Sequence, residues 1–326
     1  MSNSPTPLVS FILLAYNQEN LITEAVESLL SQTYSPLEII LSDDCSSDST
    51  FTIMKSLKDS YKGPHKIKLN RNKTNLGISA HINKLVALTH GDLIFCAAGD
   101  DISLPKRCSE VVSFWLDHNK QPDLIATDAY DMTFNGEVLG LKKTSPLSYW
   151  KSAENWFDQP PYILGANHTW SRKLIDRFPS LNSEIRAEDQ VMTFRAILTG
   201  SAMTLEKPLV KHRRKNEREK IKELNAQSKR QTIINGNINS KASIRQHITD
   251  ADIVGQKKMV ASGFKKTIAY DQMVSDLFKE TSFAHKLKTL IKYTEFSIIK
   301  RIRFFIYATC PTLMSPYFTI KSKLTR

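Results

Sequence analysis

Through the first 130 residues, short apolar runs alternate with stretches whose apolar positions recur at helical spacing. Val9-Ser-Phe-Ile-Leu-Leu14 predicts a buried strand, and Leu21 to Leu30, apolar at 21, 22, 25, 26, 29 and 30, predicts a helix. Leu37-Glu-Ile-Ile-Leu41 is the next strand, and Asp48 or Ser49 can cap a helix reaching about Ser60. Ile67-Lys-Leu69 is a short strand, Ser79 to Leu88 a helix and Asp92 to Ala97 a strand. Pro105 suits the first turn of a helix reaching about Asn119, and Asp123 to Thr127 is a further strand. Strands separated by helices of this length imply βαβ units. The expected fold class is therefore α/β, with a mostly parallel central sheet and ligands at the C-terminal ends of its strands.

Beyond this the rhythm breaks. Residues 130–205 are richer in Trp, Tyr, Pro and Asn, and they hold one clear helix from about Asp189 to Leu198. From about residue 216 the chain reads as helical, polar and basic. Two regions follow, 1–215 and a helical C-terminal extension, 216–326.

Composition adds one anomaly, a net charge of +12 on 326 residues. Nine Lys or Arg residues (286, 288, 292, 300, 301, 303, 321, 323 and 326) stand against Glu295 alone from Ala284 to Arg326, so this stretch carries +8 of the total. Within it, Ser297 to Tyr307 places apolar residues around a basic stripe, a pattern suited to an anionic membrane surface or to packing on the rest of the chain. No motif for nucleic acid accompanies the charge, so nucleic acid is not an expected partner. No secretory signal is apparent, and no apolar run approaches the roughly 20 residues of a membrane-spanning helix. The four cysteines show no C-x-x-C spacing. Reduced thiols in a cytoplasmic protein, or one peripheral on the inner face of the membrane, are expected.

Chemistry gathers where strands end. Asp100-Asp101 closes the apolar stretch Asp92 to Gly99, and adjacent carboxylates beside a core call for a cation, a donor cluster or water. Mg²⁺ and Mn²⁺ take oxygen ligands, and Mg²⁺ is commonly held by one or two carboxylates plus phosphate oxygens. Ala15-Tyr16-Asn17 ends the first strand, and Asp43-Asp44 the second. Asn75-Leu-Gly77 precedes the third helix, and Glu188-Asp189 opens the helix that carries Arg195. Taken singly, each could be a turn or a helix cap.

In this order the clusters resemble the family 2 glycosyltransferases, inverting enzymes with the Rossmann-like fold called GT-A. Leu14-Ala15-Tyr16-Asn17 is similar to the family's A-Y-N opening, and Ser42 to Thr50 to its V-D-D-G-S-x-D-x-T. Asn75 to Asn83 resembles N-x-G-x-x-x-A-x-N, Ala98 to Asp101 resembles D-x-D-D, and Glu188 to Arg195 resembles E-D-x-x-x-x-x-R. The resemblance covers about residues 8 to 215 and implies a nucleotide-sugar donor, a UDP-sugar foremost, and a glycan or lipid-linked acceptor. It implies that Asp43 takes a hydrogen bond from the base, with Ala15, Tyr16, Asn17, Asn75 and Gly77 lining the nucleotide pocket. Asp100, supported by Asp101, would hold Mg²⁺ or Mn²⁺ on the diphosphate, and Asp101 could also hold the ribose. His212 and Arg213 would face the leaving group, and Asp189 would be the general base.

Three departures stand out. Cys45 replaces the usual Gly of the second motif, Ala98 replaces the first acid of the metal motif, and the late basic motif reads His212-Arg213-Arg214-Lys215-Asn216. Trp150, Trp156, Tyr162 and Gly165 to His168 fall on the acceptor side, where aromatic faces suit sugars but equally suit a core. Two rivals remain: a sugar nucleotidyltransferase, for which no Gly-rich phosphate loop follows the first strand, and a non-catalytic GT-A-like module with a basic tail.

Overall fold

The computed structural model describes residues 6–214, 225–279 and 282–316; Lys215 and Asn216 of the basic motif, and Lys321, Lys323 and Arg326 of the basic stretch, lie outside them. The described chain forms two compact units, Met1–Arg214 with Gln246–Lys257, and Lys215–Arg245 with Lys258–Arg326.

The first unit opens with β1 (Val9–Ala15), α1 (Ile22–Leu30), β2 (Leu37–Asp43), α2 (Thr50–Ser60), β3 (Lys66–Arg71), α3 (Ile78–Val86) and β4 (Leu93–Ala98). These are the predicted elements in the predicted order. They form because β1, β2 and β4 are apolar enough to be covered on both faces, whereas β3 at the edge alternates exposed and half-buried residues, and α1 buries only Ile22, Ala25, Val26, Ser28 and Leu29 on one stripe. Phe11, Leu13, Ile39, Leu41, Phe95, Val111 and Trp115 meet in the core beneath that stripe.

Next come β5 (Ile102–Ser103), α4 (Arg107–Asp117), β6 (Leu124–Met132), β7 (Val138–Lys142), α5 (Ala153–Asp158), β8 (His168–Ser171), α6 (Arg172–Arg177), α7 (Glu188–Leu198) and β9 (Ala202–Arg213). Sheet order is β3-β2-β1-β4-β8-β6-β9-β5, with β7 on β6. Strands β3, β2, β1, β4, β6 and β9 run one way; β8, β5 and β7 run against them. The sequence reading did not foresee β8, a four-residue strand, or β9, whose alternation is interrupted by Pro208.

Register sets the level of the site. Leu14 pairs with both Ser42 and Ala98, so the loops after Ala15, Asp43 and Ala98 emerge in one row. β5 follows the acidic pair directly and pairs with Val210 and Lys211, which curls the sheet and returns the end of β9 to Asp100 and Asp101.

The second unit is helical in its described residues, with Met273, Val274, Leu277, Tyr293, Phe296 and Ala308 as its core. No helix among the described residues is long and apolar enough to cross a membrane.

Candidate active site

The first two loops are laced together. Asn17 takes a left-handed conformation at φ 51, donates its N–H to Ser46 Oγ at 2.9 Å and accepts from the Ser47 N–H at 2.9 Å. Gln18 N–H reaches Thr50 Oγ1 at 2.8 Å, and Glu19 N–H reaches Asp48 Oδ2 at 3.0 Å. Each bond satisfies a backbone donor that a sheet edge leaves orphaned. Tyr16 is half exposed at this edge.

Asp43 is fully buried; its Oδ2 accepts from Ser46 N–H at 3.0 Å and faces Arg71 Nε at 3.2 Å, while its Oδ1 accepts from the Ser46 hydroxyl. Asp44 accepts from Asn72 Nδ2 at 2.7 Å, Leu76 N–H at 2.9 Å and Gly77 N–H at 3.0 Å, fixing the loop before α3. Asn75 Oδ1 also accepts from Gly77 N–H at 3.0 Å, and Gly77 turns at φ 75, where a side chain would be strained. Cys45, in the place of the expected Gly, sits at φ 66 and therefore carries that strain.

Gly99 is closely packed: a Cβ there would displace the end of Gln18 and stand 3.1 Å from Ala15 Cβ. Burial holds the Asp100 carboxyl above the usual carboxylate range, against the pull of His212, Arg213 and a hydrogen bond from Gln18. Burial, with Asp100 beside it, pushes Asp101 up to about 8, although its Oδ1 accepts the Arg213 N–H at 2.7 Å.

Arg213 is itself buried, its guanidinium divided between the Asp100 carbonyl at 3.1 Å and Glu24 at 2.6 Å. Burial holds His212 below its ordinary value against the opposing pull of Asp131 and Asp100, so it is neutral at pH 7. Its neighbour Arg214 pairs with Asp131 at 2.7 Å.

Glu188 and Asp189 begin α7. The loop ahead of them is clamped to α3: Asn83 Nδ2 donates to the Leu181 carbonyl at 2.7 Å, Asn83 Oδ1 accepts the Leu181 N–H at 2.9 Å, and Ser79 donates to the Ile185 carbonyl at 2.8 Å. Arg195, the end of the same motif, makes a buried two-pronged pair with Asp250, Nε to Oδ2 at 2.7 Å and Nη2 to Oδ1 at 3.2 Å. The motif's last residue therefore anchors α7. Burial, with Asp189 adjacent, pushes Glu188 up to about 8, and burial also raises Asp189. Gly165 abuts the pair, since a Cβ there would stand 3.3 Å from both Asp189 Cβ and Glu188 Oε1. The turn Gly165–Asn167 lies against β4 as well as α7. Cys96 on β4, raised to about 12 by burial, also feels Glu188, Asp189 and Asp101. The two acidic clusters, 88 positions apart along the chain when Asp101 and Asp189 are compared, thus converge on one strand end.

Arg107 escaped the sequence reading. Fully buried at the start of α4, it donates to the carbonyls of Cys96 at 3.1 Å and His168 at 3.2 Å and to Ser103 Oγ at 3.0 Å. It lies over the Phe11 and Phe95 rings, and burial lowers it to about 10. Nothing in its sequence context separates it from the exposed Lys106. Asp44, Arg71 and Gln18 were likewise not singled out for these contacts. Of the acceptor-side aromatics, Trp156 is in the core, edge-on to Phe194 at 5.1 Å, and Trp150 donates to the Gln159 carbonyl at 2.8 Å. Tyr162 remains half exposed.

Among the described residues, no group of three or more His, Cys, Asp or Glu side chains is placed to hold a metal ion. Asp100 and Asp101 supply a smaller donor set, two proton-seeking carboxylates that lack a full cationic partner. That set suits a hard divalent cation completed by phosphate oxygens.

The model of the family described as "Glycosyl transferase family 2" matches residues 10–178. The chain belongs to that family. Its relatives include the putative glycosyltransferase EpsE of Bacillus subtilis, 41% identical over 112 residues, covering 34% of this chain and 40% of EpsE. WfaP of Escherichia coli, named a UDP-Glc:alpha-D-GlcNAc-diphosphoundecaprenol beta-1,3-glucosyltransferase, is 36% identical over 107 residues, covering 33% of this chain and 41% of WfaP. The chain thus spans less than half the length of either. Among solved structures, TarS 1–349 of S. aureus in complex with UDP aligns with a TM-score of 0.54 at 17% identity, covering 97% of this chain and 87% of that one. The mannosyltransferase PcManGT of Pyrobaculum calidifontis, in complex with GDP-Man and Mn²⁺, aligns at 0.52 and 15% identity, covering 95% and 88%. At those identities the likeness is one of fold, and the fold of this family 2 protein is GT-A.

Proposed function

We propose that this protein transfers a sugar, with inversion, from a nucleotide-diphosphate donor to a hydroxyl of a glycan or lipid-linked acceptor. The observation that carries the reading is that Asp100-Asp101 follow β4 directly while the Gly165–Asn167 turn, packed against Glu188-Asp189, lies against the same strand, beside the row of loop ends after β1 and β2. Residues 1–215 form the catalytic region in this reading, and 216–326 the attachment region.

The base of the donor lies against the loops after β1 and β2, where Asp43, its buried carboxylate already taken by Ser46 and Arg71, acts by orienting the half-exposed Arg71 toward the base. Tyr16 and Asn17 line one wall, and Asn75 and Gly77 the other. Asp100, supported by Asp101, would hold Mg²⁺ or Mn²⁺; bound there, the ion would neutralise charge on the diphosphate. Asp101 also reaches the ribose. His212, neutral when free, serves the diphosphate as a hydrogen-bond donor and becomes a better base as charge grows beside it. Asp189 accepts the acceptor hydroxyl's proton as the oxygen attacks the anomeric carbon from the face opposite the leaving group. Its raised proton affinity, set by burial, suits that task. Glu188 stays protonated at neutral pH and does not compete.

A UDP-sugar and a polyprenyl-diphosphate acceptor are favoured by what WfaP is named to do, and surface polysaccharide synthesis is the setting that suggests. Exposed Phe283, Ile291, Ile298 and Ile299, interspersed with lysines, support attachment to an anionic membrane surface. Calorimetric titration with UDP, GDP, dTDP and CMP, each with and without Mn²⁺, tests the reading. Metal-dependent binding of one nucleotide supports it and names the donor class. Failure of all four to bind would instead favour a non-catalytic module.

A further inference from the structure

The second unit concentrates positive charge on a concave surface. His285, Lys288 and Lys292 recur at spacings of three and four on the helix Phe283–Lys292 and so share one face. That face lines a cavity of about 500 Å³, whose opposite walls bring Lys241 and Lys279. Four ammonium groups around one hollow repel one another, and concave walls intensify their potential. Asp276 is the single carboxylate among the described lining residues, and it is already occupied. Its Oδ1 accepts from Gln272 Nε2 at 2.6 Å, while its Oδ2 accepts from the Tyr293 hydroxyl at 2.6 Å and Lys292 Nζ at 3.2 Å. Lys241 Nζ donates to the neutral Ser275 hydroxyl, and its charge also acts on the nearby Asp271 carboxyl, which is not among the described lining residues. Lys279 and Lys288 are exposed at the rim.

We propose that this cavity is a binding site for a phosphate-bearing ligand, seated among Lys241, Lys279 and Lys288. Ammonium groups on flexible stems bind phosphate as point charges, and the Thr289 and Ser275 hydroxyls in the lining already donate to the His285 carbonyl and Asn237 Oδ1, so the lysines carry the recognition. The volume exceeds that of one phosphate, which favours a diphosphate or a phosphate attached to a larger group. The site lies wholly in the second unit and does not depend on the reading of the acidic clusters.

Pyrophosphate titrated into the full-length protein at low salt, with and without saturating UDP, tests the proposal. Binding is expected to persist with UDP present and to weaken by at least about tenfold in Lys279→Gln/Lys288→Gln, as expected for losing two charged donors. The control Lys55→Gln/Lys106→Gln, on exposed lysines of the first unit, should bind as the parent does. Circular dichroism and an unchanged melting temperature establish that the variants are folded. Flotation with phosphatidylglycerol vesicles separates the two sources of phosphate. Joint loss of flotation and pyrophosphate binding in Lys279→Gln/Lys288→Gln assigns a lipid headgroup, whereas loss of pyrophosphate binding alone assigns a soluble ligand. Equal pyrophosphate binding by parent and cavity variant, binding abolished by UDP, or no binding at millimolar pyrophosphate each overturns the proposal. Failure of UDP to bind at all would count against the transferase reading alone.

Discussion

The two halves of the first unit treat their carboxylates in opposite ways. In the parallel half, Asp43, Asp44 and Asp48 each accept hydrogen bonds from neighbouring loops, so negative charge is used to pin backbone and side-chain donors. Around β4, β8 and α7, Asp101 and Glu188 are buried and Asp100 and Asp189 half-buried with too few donors, and all four hold protons more tightly than an ordinary carboxyl. A satisfied site is a platform; an unsatisfied one is built to be completed by a ligand. The first half therefore looks finished without substrate, and the second does not.

The sharpest way to break this contrast is Asp189→Asn. Removing a positioned base typically costs about 10² to 10⁴ in rate, so turnover should fall by that much while UDP affinity, which does not draw on Asp189 in the proposed reading, is retained. Near-parental turnover would remove Asp189 from its role. Asp44→Ala attacks the platform instead. It strips the acceptor from Asn72, Leu76 and Gly77, and should lower unfolding free energy in urea by roughly 2 to 3 kcal/mol while weakening UDP binding. Parental stability would show that those bonds do not hold the loop.

Glu188→Gln tests the unfinished half without touching the base. The folded carboxyl is pushed up to about 8, above its ordinary value of 4.5, so between those limits the folded state keeps a proton that the unfolded chain has released. Stability should fall as pH rises from about 4.5 to about 8. Glu188→Gln should flatten that slope, matching the parent near pH 4.5 and exceeding it at pH 8 by about 1 to 3 kcal/mol, the usual range for one substitution. Parallel stability curves for the two proteins across that range would contradict the burial argument.

The same contrast explains what was legible in the chain. The parallel half could be read because unbroken apolar runs, helical periodicity and strand-end residues all act locally. β8 could not, because a strand inserted antiparallel between β4 and β6 is fixed by its neighbours across the sheet and not by His168-Thr-Trp-Ser171 itself. Site positions fared similarly: Asp100, Asp101, Glu188 and Asp189 stood out as pairs of acids, whereas Arg107 is set apart by burial, which sequence does not display. The position expected to hold Gly was legible as an oddity, but its backbone angle was not.

That position yields the smallest test. Cys45 adopts φ 66, a region that costs a residue with a Cβ about 1 to 2 kcal/mol, and its thiol gains only a weak contact with the Lys73 carbonyl at 3.5 Å. Gly relieves the clash but adds freedom to the unfolded chain, worth roughly 0.5 to 1 kcal/mol in the other direction. Cys45→Gly should therefore stabilise the protein by about 1 kcal/mol or less, read as a rise in urea midpoint, with UDP affinity unchanged because Asp43, Asp44 and Ser46 keep their partners. A lower midpoint would mean that the thiol contributes more to the platform than its single long contact implies, and that even the finished half depends on a side chain the family pattern does without.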